Sequence, residues 1–404
     1  MKAAVALILA LVFIALLMLW FEQQEEEPSV SAFLEQHWEY PTAPQGEPPA
    51  AFSPLEASLG PESCAQCHTE QHEQWSESLH SHTMGPGIRW QLQLMNPEAS
   101  RSCLQCHAPL TEQFVLLAQE RGWSKSTAAP PAHVPKDLHR KGLACAACHV
   151  REHQRFGPPA GPNALEGTAH GGFVASEAFG DSRFCANCHQ FDEDGPRLNG
   201  KLREDTYNQW RQSRHAAEGK HCQSCHMPGR RHEWKGIHDL DMTRSALSVS
   251  LTHSKSDNGS LLATAEVTNS GAGHHFPTYL VPEVLLQLEH VAPSGTVNEL
   301  AQHTLAWGAN LALTEELFDQ RLPAGESVRI EGVADEAELQ GILRLRVSVA
   351  PKHQYLVTFV DYLEKNRHTL DAKTLGLLEL AIQEARSAEY EFIAAEQLLG
   401  EIAN

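Results

Sequence analysis

Past about Arg244 the chain alternates apolar and polar residues with period two. ALSVSLTH, LLATAEVTN, EVLLQLEHV, ESVRIEGV and ILRLRVSV all follow this pattern, and Gly, Pro, Asn and Ser turns separate them. In the last of these Leu343, Leu345, Val347 and Val349 face one way, and Arg344, Arg346 and Ser348 the other. Such strands predict an antiparallel β-sandwich of about a hundred residues, assigned here to 245–360. An Ala-, Leu- and Glu-rich run with helical spacing follows, predicting C-terminal helices over 361–404 that pack back on the body. At the other end Ala3 to Phe21 is a run of nineteen apolar residues. At about 1.5 Å rise per residue such a run comes close to the hydrocarbon thickness of a bilayer. A Pro- and Glu-rich stretch over 22–58 reads as an extended spacer. Between 59 and 244 neither period persists, which predicts short helices and long loops. LTEQFVLLAQERGW, behind a Thr111 cap, is the clearer helix.

That aperiodic region holds all ten cysteines, and each pair is written the same way: CAQCH at Cys64, CLQCH at Cys103, CAACH at Cys145, CANCH at Cys185 and CQSCH at Cys222. On a helical turn, residues three and four apart share a face, so two thiols and the following imidazole can address one planar object. C-x-x-C-H is the attachment signature of c-type haem, with two thioethers and a proximal histidine. Three other readings fit less well. Structural zinc gathers C-x-x-C half-sites in pairs and leaves the fifth alone. Disulfides between neighbours three apart close only tiny loops, and a thioredoxin-like C-x-x-C normally appears once. The expected cofactors are therefore five covalently attached haems, held by Cys64, Cys67, Cys103, Cys106, Cys145, Cys148, Cys185, Cys188, Cys222 and Cys225. Their proximal iron ligands would be His68, His107, His149, His189 and His226. The motifs begin 39, 42, 40 and 37 residues apart. So little chain per macrocycle leaves the haem faces to supply much of the buried apolar surface.

The apolar N-terminal run ends in Leu-Trp-Phe and passes directly into acidic residues, without a small-residue cleavage site. It reads as an uncleaved signal anchor, with cleavage as the alternative. The expected location is the bacterial inner membrane, single-pass, with the bulk in the periplasm, the side on which c-type haem is attached. The balance of 51 Asp+Glu against 31 Lys+Arg argues against nucleic acid and for solubility or steering toward basic partners.

Each iron has a sixth position, and nineteen histidines lie outside the motifs. WSESLH ending at His80 and WRQSRH ending at His215 share the frame W-x-x-S-x-H. CHMP at Cys225 to Pro228, GIHD at Gly236 to Asp239, AHGGF…DSRFCANCHQF from Ala169, and GAGHHFPT at Gly271 to Thr278 accompany them. Together these resemble the cytochrome c-552/c-554 family of multihaem cytochromes, which is distantly like hydroxylamine oxidoreductase and pentahaem nitrite reductase. The resemblance covers Pro61 to Thr278. It implies that histidines from such frames ligate the iron of another haem, which makes His80, His170, His215, His238 and His274 the distal candidates. His82 rivals His80 and His275 rivals His274, and His232, His153, His139 and His133 are spares. Gly271 and Gly273 would let the β-domain backbone approach a haem edge.

The expected fold class is α+β and multidomain: a mostly helical, loop-rich pentahaem domain, an antiparallel β-sandwich, C-terminal helices and one N-terminal transmembrane helix. The expected function is electron transfer through stacked bis-histidine haems in a respiratory chain. Its partners would be redox proteins, either a quinol dehydrogenase module or periplasmic cytochromes. The alternative is an oxidoreductase with one open haem acting on a small nitrogen or sulfur compound. The C-x-x-C-K of the nitrite reductases is not present in the sequence.

Overall fold

The computed structural model describes residues 29–126, 128–160, 169–256, 259–334 and 340–399. The apolar run Ala3 to Phe21 lies outside them, and among the described residues no helix is long and apolar enough to cross a membrane. Residues 29–58 are not an extended spacer. Val30–His37 is a helix capped by Ser29, with Phe33 and His37 buried against Phe156, Phe179 and Phe184. The Thr42 hydroxyl donates to the Pro109 carbonyl, and the Gln45 amide to Glu112. The prolines that suggested a free tether instead let this segment wrap the C-x-x-C-H region in short steps.

From Pro61 to Ala246 the chain forms short helices, with strands of only two to four residues and little sheet, as the missing periodicity predicted. β1 (Val150–Arg151), β2 (Gln154–Gly157) and β3 (Val174–Ala175) make one small sheet, and β4 (Arg197–Leu198) with β5 (Lys201–Leu202) a hairpin. The helix Thr111–Glu120 is present, but Thr111 is its first residue rather than its cap. The Leu110 amide donates to Gln113 Oε1, and the Thr111 hydroxyl is spent on the Thr42 carbonyl.

The sandwich consists of two antiparallel sheets. β11 (Ser327–Ala334), β7 (Leu261–Asn269) and β6 (Leu247–Lys255) form one. β10 (Glu316–Asp319), β9 (Val297–Ala309), β8 (Glu283–Val291), β12 (Gly341–Ala350) and β13 (Tyr390–Leu399) form the other. Their inner faces meet in one core through Ala263, Ala265 and Val267 on one side and Leu286, Leu288, Leu343, Leu345 and Val347 on the other. On the outer face of β12 Arg344 and Arg346 converge on Glu289 of β8.

The C-terminal run departs from expectation. His353–Asn366 and Ala372–Ser387 are helices, packed back on the motif region where Trp90 meets Phe359, Leu378 and Ile382. Tyr390–Leu399, expected to be helical, is a strand paired with β12 along Gly341 to Val349. Its Ala, Glu and Leu favour helix locally, but an open sheet edge offers a full ladder of hydrogen bonds and buries Phe392 and Leu399.

Candidate functional site

Each C-x-x-C-H motif lies on or beside a helical turn. The motif histidine ends the helix in Pro97–His107, Cys145–His149, Ser182–His189 and Cys222–His226, whereas the first motif straddles the end of Pro61–Cys64. Caps hold these short helices: Asn96 Oδ1 accepts the Ala99 amide at 2.8 Å, and Asp181 Oδ1 the Arg183 amide at 2.8 Å. No disulfide joins any of the ten cysteines. Helices of different motifs meet: Pro61–Cys64 packs against Cys145–His149, and Ser182–His189 against both Pro97–His107 and Cys222–His226. The helix Ser182–His189 therefore touches both the second and the fifth motifs.

The imidazoles sort by which ring nitrogen is engaged. Nδ1 of His107 lies 2.7 Å from the Thr83 carbonyl, Nδ1 of His149 2.7 Å from Phe156 and Nδ1 of His226 2.6 Å from Lys235. A carbonyl only accepts, so Nδ1 carries the proton and Nε2 keeps its lone pair, the arrangement that fixes a metal-ligating histidine. His170, His232 and His274 do the same with Gly172 at 2.8 Å, Arg230 at 3.0 Å and His275 at 2.8 Å. His37, His139 and His153 instead engage Nε2, with Cys148, Glu120 and Gly46 in turn. Those three are structural.

Three imidazole pairs then stand out. The ring centroids of His189 and His80 are 6.4 Å apart, those of His149 and His232 6.2 Å, and those of His226 and His274 6.3 Å. An imidazole nitrogen sits about 2 Å from a bound metal and roughly 1 Å outside its ring centroid, so two trans imidazoles put their centroids about 6 Å apart. All three pairs fit one metal ion between two rings. Burial holds His80 down at about 3 and His149 and His274 at about 4, so the rings are neutral, the form that ligates. Among the described residues no three or more His, Cys, Asp or Glu gather as in a protein-only metal site. Two axial ligands are what a porphyrin iron takes from a protein, so the residues fit haem and not zinc.

Of the distal candidates, His80 and His274 face motif histidines. His170 lies beside Glu56, whose carboxylate accepts its amide at 2.9 Å. His215 packs against Gly273, with both ring nitrogens buried and without hydrogen-bond partners, and no motif imidazole lies against it. His238 lines an open cleft with Leu240 and Tyr390. The shared W-x-x-S-x-H frame is read differently at its two sites. Ser78 bonds back to the Trp75 carbonyl at 2.7 Å, whereas Ser213 caps the helix Arg214–Ala217. Gly271 earns its place: a side chain there would collide with the Ser245 carbonyl, and the turn that presents His274 could not close.

His232, a spare in the sequence reading, stands opposite His149. A signal for it existed, since it follows His226 by six residues and is too near to reach the far face of its own motif's haem. The aromatic wall around the third motif gave no such signal. There Phe179 stacks on His149 at 5.2 Å, and Phe184 lies tilted against Phe179 at 4.6 Å.

No protein-family model matches the chain, and no curated protein matches it. Among solved structures, a penta-haem cytochrome c552 from Thermochromatium tepidum is similar over 85% of this chain and 99% of its own, with TM-score 0.56 and 19% identity. The chain thus has a multihaem-cytochrome fold. A β-glucosidase from Streptomyces venezuelae aligns over 34% of this chain and 17% of its own, with 17% identity and TM-score 0.14, too weak a likeness to carry any argument.

Proposed function

We propose that the five cysteine pairs each hold one haem by thioether bonds, that His68, His107, His149, His189 and His226 are the proximal ligands, and that the protein passes electrons between redox partners. The three imidazole pairs carry this reading, with support from the fold shared with a penta-haem cytochrome c552. The bound haems supply one-electron chemistry. The chain's part is to fix both axial positions, so that oxidation and reduction need little rearrangement, and to hold the centres close together. His80 serves the fourth motif, His232 the third and His274 the fifth. Helix contacts give the route: the first motif to the third, and the fourth to the second and the fifth. Phe179 lies between His149 of the third motif and Phe184 on the helix of the fourth and joins the two. The fourth motif is the branch point. The Ala3 to Phe21 segment anchors the protein to the bacterial inner membrane with its bulk in the periplasm, and its partners are a quinol dehydrogenase module or periplasmic cytochromes. Intact mass tests the haem count: the purified protein exceeds its polypeptide mass by five haems. An N-terminus beyond Trp20, or release from membranes by a high-salt wash, would contradict the anchor.

A second reading has an observation in its favour. No imidazole among the described residues pairs with His68 or with His107 in the way that His80, His232 and His274 pair with the other three motif histidines. On this reading one of these two haems is open, and the protein is an oxidoreductase as well as a conductor. One high-spin ferric signal in the oxidised protein is the expected spectrum.

A further inference from the structure

The segment 230–238 runs through the motif region and has a hold on four of the five motifs. The His232 amide donates to Gln74 Oε1 at 2.8 Å, on the helix Thr69–Glu77 that follows the first motif. The His232 ring stands opposite His149 of the third motif. The Lys235 carbonyl accepts the Nδ1 proton of His226, of the fifth motif, at 2.6 Å. Between these two anchors Trp234 lies against His80, the imidazole opposite His189 of the fourth motif.

The Trp234 indole packs on two imidazoles that stand opposite motif histidines. Its ring centroid is 4.5 Å from that of His80, with the planes 60° apart, and 5.1 Å from that of His232, with the planes 84° apart. Both are edge-to-face packings at the short end of the range in which aromatic rings attract. The Trp234 backbone is left-handed, with φ 43°. Bulky residues avoid that region because Cβ crowds the carbonyl, whereas glycine takes it freely. Such strain persists only where the surroundings over-determine it. Here the hydrogen bonds to Gln74 and His226 fix the chain on either side, and the turn they enforce carries the indole between the two imidazoles. The two rings depend on that contact unequally. Nδ1 of His232 is held by the Arg230 carbonyl at 3.0 Å. The hydrogen bonds of His80 run through its backbone carbonyl, from the Leu143 amide at 3.0 Å and the Thr83 hydroxyl at 3.1 Å, and among the described residues none reaches its ring.

Resting on the proposed ligation, we infer that Trp234 is a positioning residue shared by the third and fourth irons: its indole sets the rotation of the His80 ring, braces that of His232, and fills the gap between the two distal ligands with packed protein. Groups around a metal-bound histidine orient its ring and tune the metal, usually through a hydrogen bond to the second ring nitrogen. At His80 that hydrogen bond is replaced by packing on the indole. A ring free to turn about its iron–nitrogen bond changes the splitting of the iron orbitals, so a fixed ring keeps the centre alike in both oxidation states. One side chain thus does for the fourth iron what a carbonyl does at His232 and His274.

The test uses the full-length, haem-loaded protein and compares wild type with Trp234→Phe and Trp234→Ala by electron paramagnetic resonance of the oxidised form. His80→Ala, His232→Ala and His274→Ala assign the low-spin signals of the fourth, third and fifth irons. Trp234→Ala is expected to keep five haems and all three irons low-spin, to shift and broaden the fourth iron's signal most and the third's less, and to leave the fifth's in place. Loss of one aromatic contact lets the His80 ring leave its iron about tenfold more often, so carbon monoxide is expected to bind the reduced fourth haem about tenfold faster. Trp234→Phe, which keeps an aromatic edge, is expected to restore most of both. Should Trp234→Ala lose haem, Trp234→Leu, which keeps bulk without the ring, is read in the same way. If the third and fourth signals stay as in wild type, or all three move alike, the shared brace is overturned while the ligation stands. If His80→Ala and His232→Ala leave the low-spin signals unchanged, the ligation falls, and the brace with it.

Discussion

His226 and His274 face each other across 6.3 Å with ring planes 13° apart, although one ends a C-x-x-C-H helix and the other sits in a turn between two strands of the sandwich. The sandwich therefore reaches the motif region: its β7 to β8 connection places His274 opposite the histidine of the fifth motif, and on the proposed ligation it would take part in electron transfer. Asn269 fixes that connection, donating to the His274 carbonyl at 2.8 Å and the Leu322 carbonyl at 3.0 Å.

His274→Ala removes an imidazole and no thioether. All five haems are expected to stay attached while one low-spin iron turns high-spin and its potential shifts, because axial ligation is a main lever on haem potential. His215→Ala, which removes a ring packed on Gly273, is expected to leave the spin states as they are. Electron paramagnetic resonance of both variants checks the pair. A spin change in His215→Ala with none in His274→Ala reverses the assignment.

His232 and His238 make a second contrast. His232 stands 6.2 Å from His149, whereas His238 lines an open cleft. His232→Ala is expected to convert the third iron to high spin and His238→Ala to leave the third, fourth and fifth irons unchanged. Redox titration of each variant reads the outcome.

The chemistry was legible in the sequence because a covalent motif states its own spacing. Cys64 to His226 needed no fold to be recognised. His80 and His274, expected by resemblance, lie opposite motif histidines, as does His232, a spare in that reading, whereas His215 does not. A distal ligand is fixed by where a neighbouring motif places its iron, which is a long-range relation that no local frame encodes. The strands of the sandwich with strict alternation, such as Leu343 to Val349, were legible for the same reason that they form: one face is buried. Val297–Ala309 was missed because a register shift at Leu288/Glu289 breaks its alternation, and Tyr390–Leu399 because its helix-favouring residues are overruled by the edge of β12.

Glu289 is buried between two arginines, with Arg344 Nε at 2.5 Å and Arg346 Nε at 3.0 Å. Removing one partner of a buried set strands the others, so Glu289→Ala is expected to cost about 3 kcal/mol of stability. The exposed Glu391, which also meets Arg346, is expected to cost less than about 1 kcal/mol on the same change. Denaturant unfolding of both variants measures the difference, and equal costs would refute it.

Glu120 ties the C-terminal helices to the motif region through Lys373 at 2.8 Å, His139 at 2.6 Å and Arg140 at 2.9 Å. Burial pushes its carboxyl up, but hydrogen bonds from these three outweigh burial and hold it well below the usual carboxylate range. A folded-state pKa below the unfolded one stabilises above the unfolded value and loses that contribution as pH falls. Glu120→Gln is therefore expected to cost about 1–2 kcal/mol at neutral pH. The gap to wild type should close as pH drops below about 4. Thermal unfolding across that range checks it, and a gap that widens in acid would be the wrong sign.

The most direct measurement is an anomalous difference map at the iron absorption edge from crystals of the haem-loaded protein. The account predicts five iron peaks, three of them midway between His80 and His189, His149 and His232, and His226 and His274, with the fourth motif's iron at the branch. Fewer than five peaks, or an iron of the third, fourth or fifth motif ligated by a histidine other than its named partner, would contradict it.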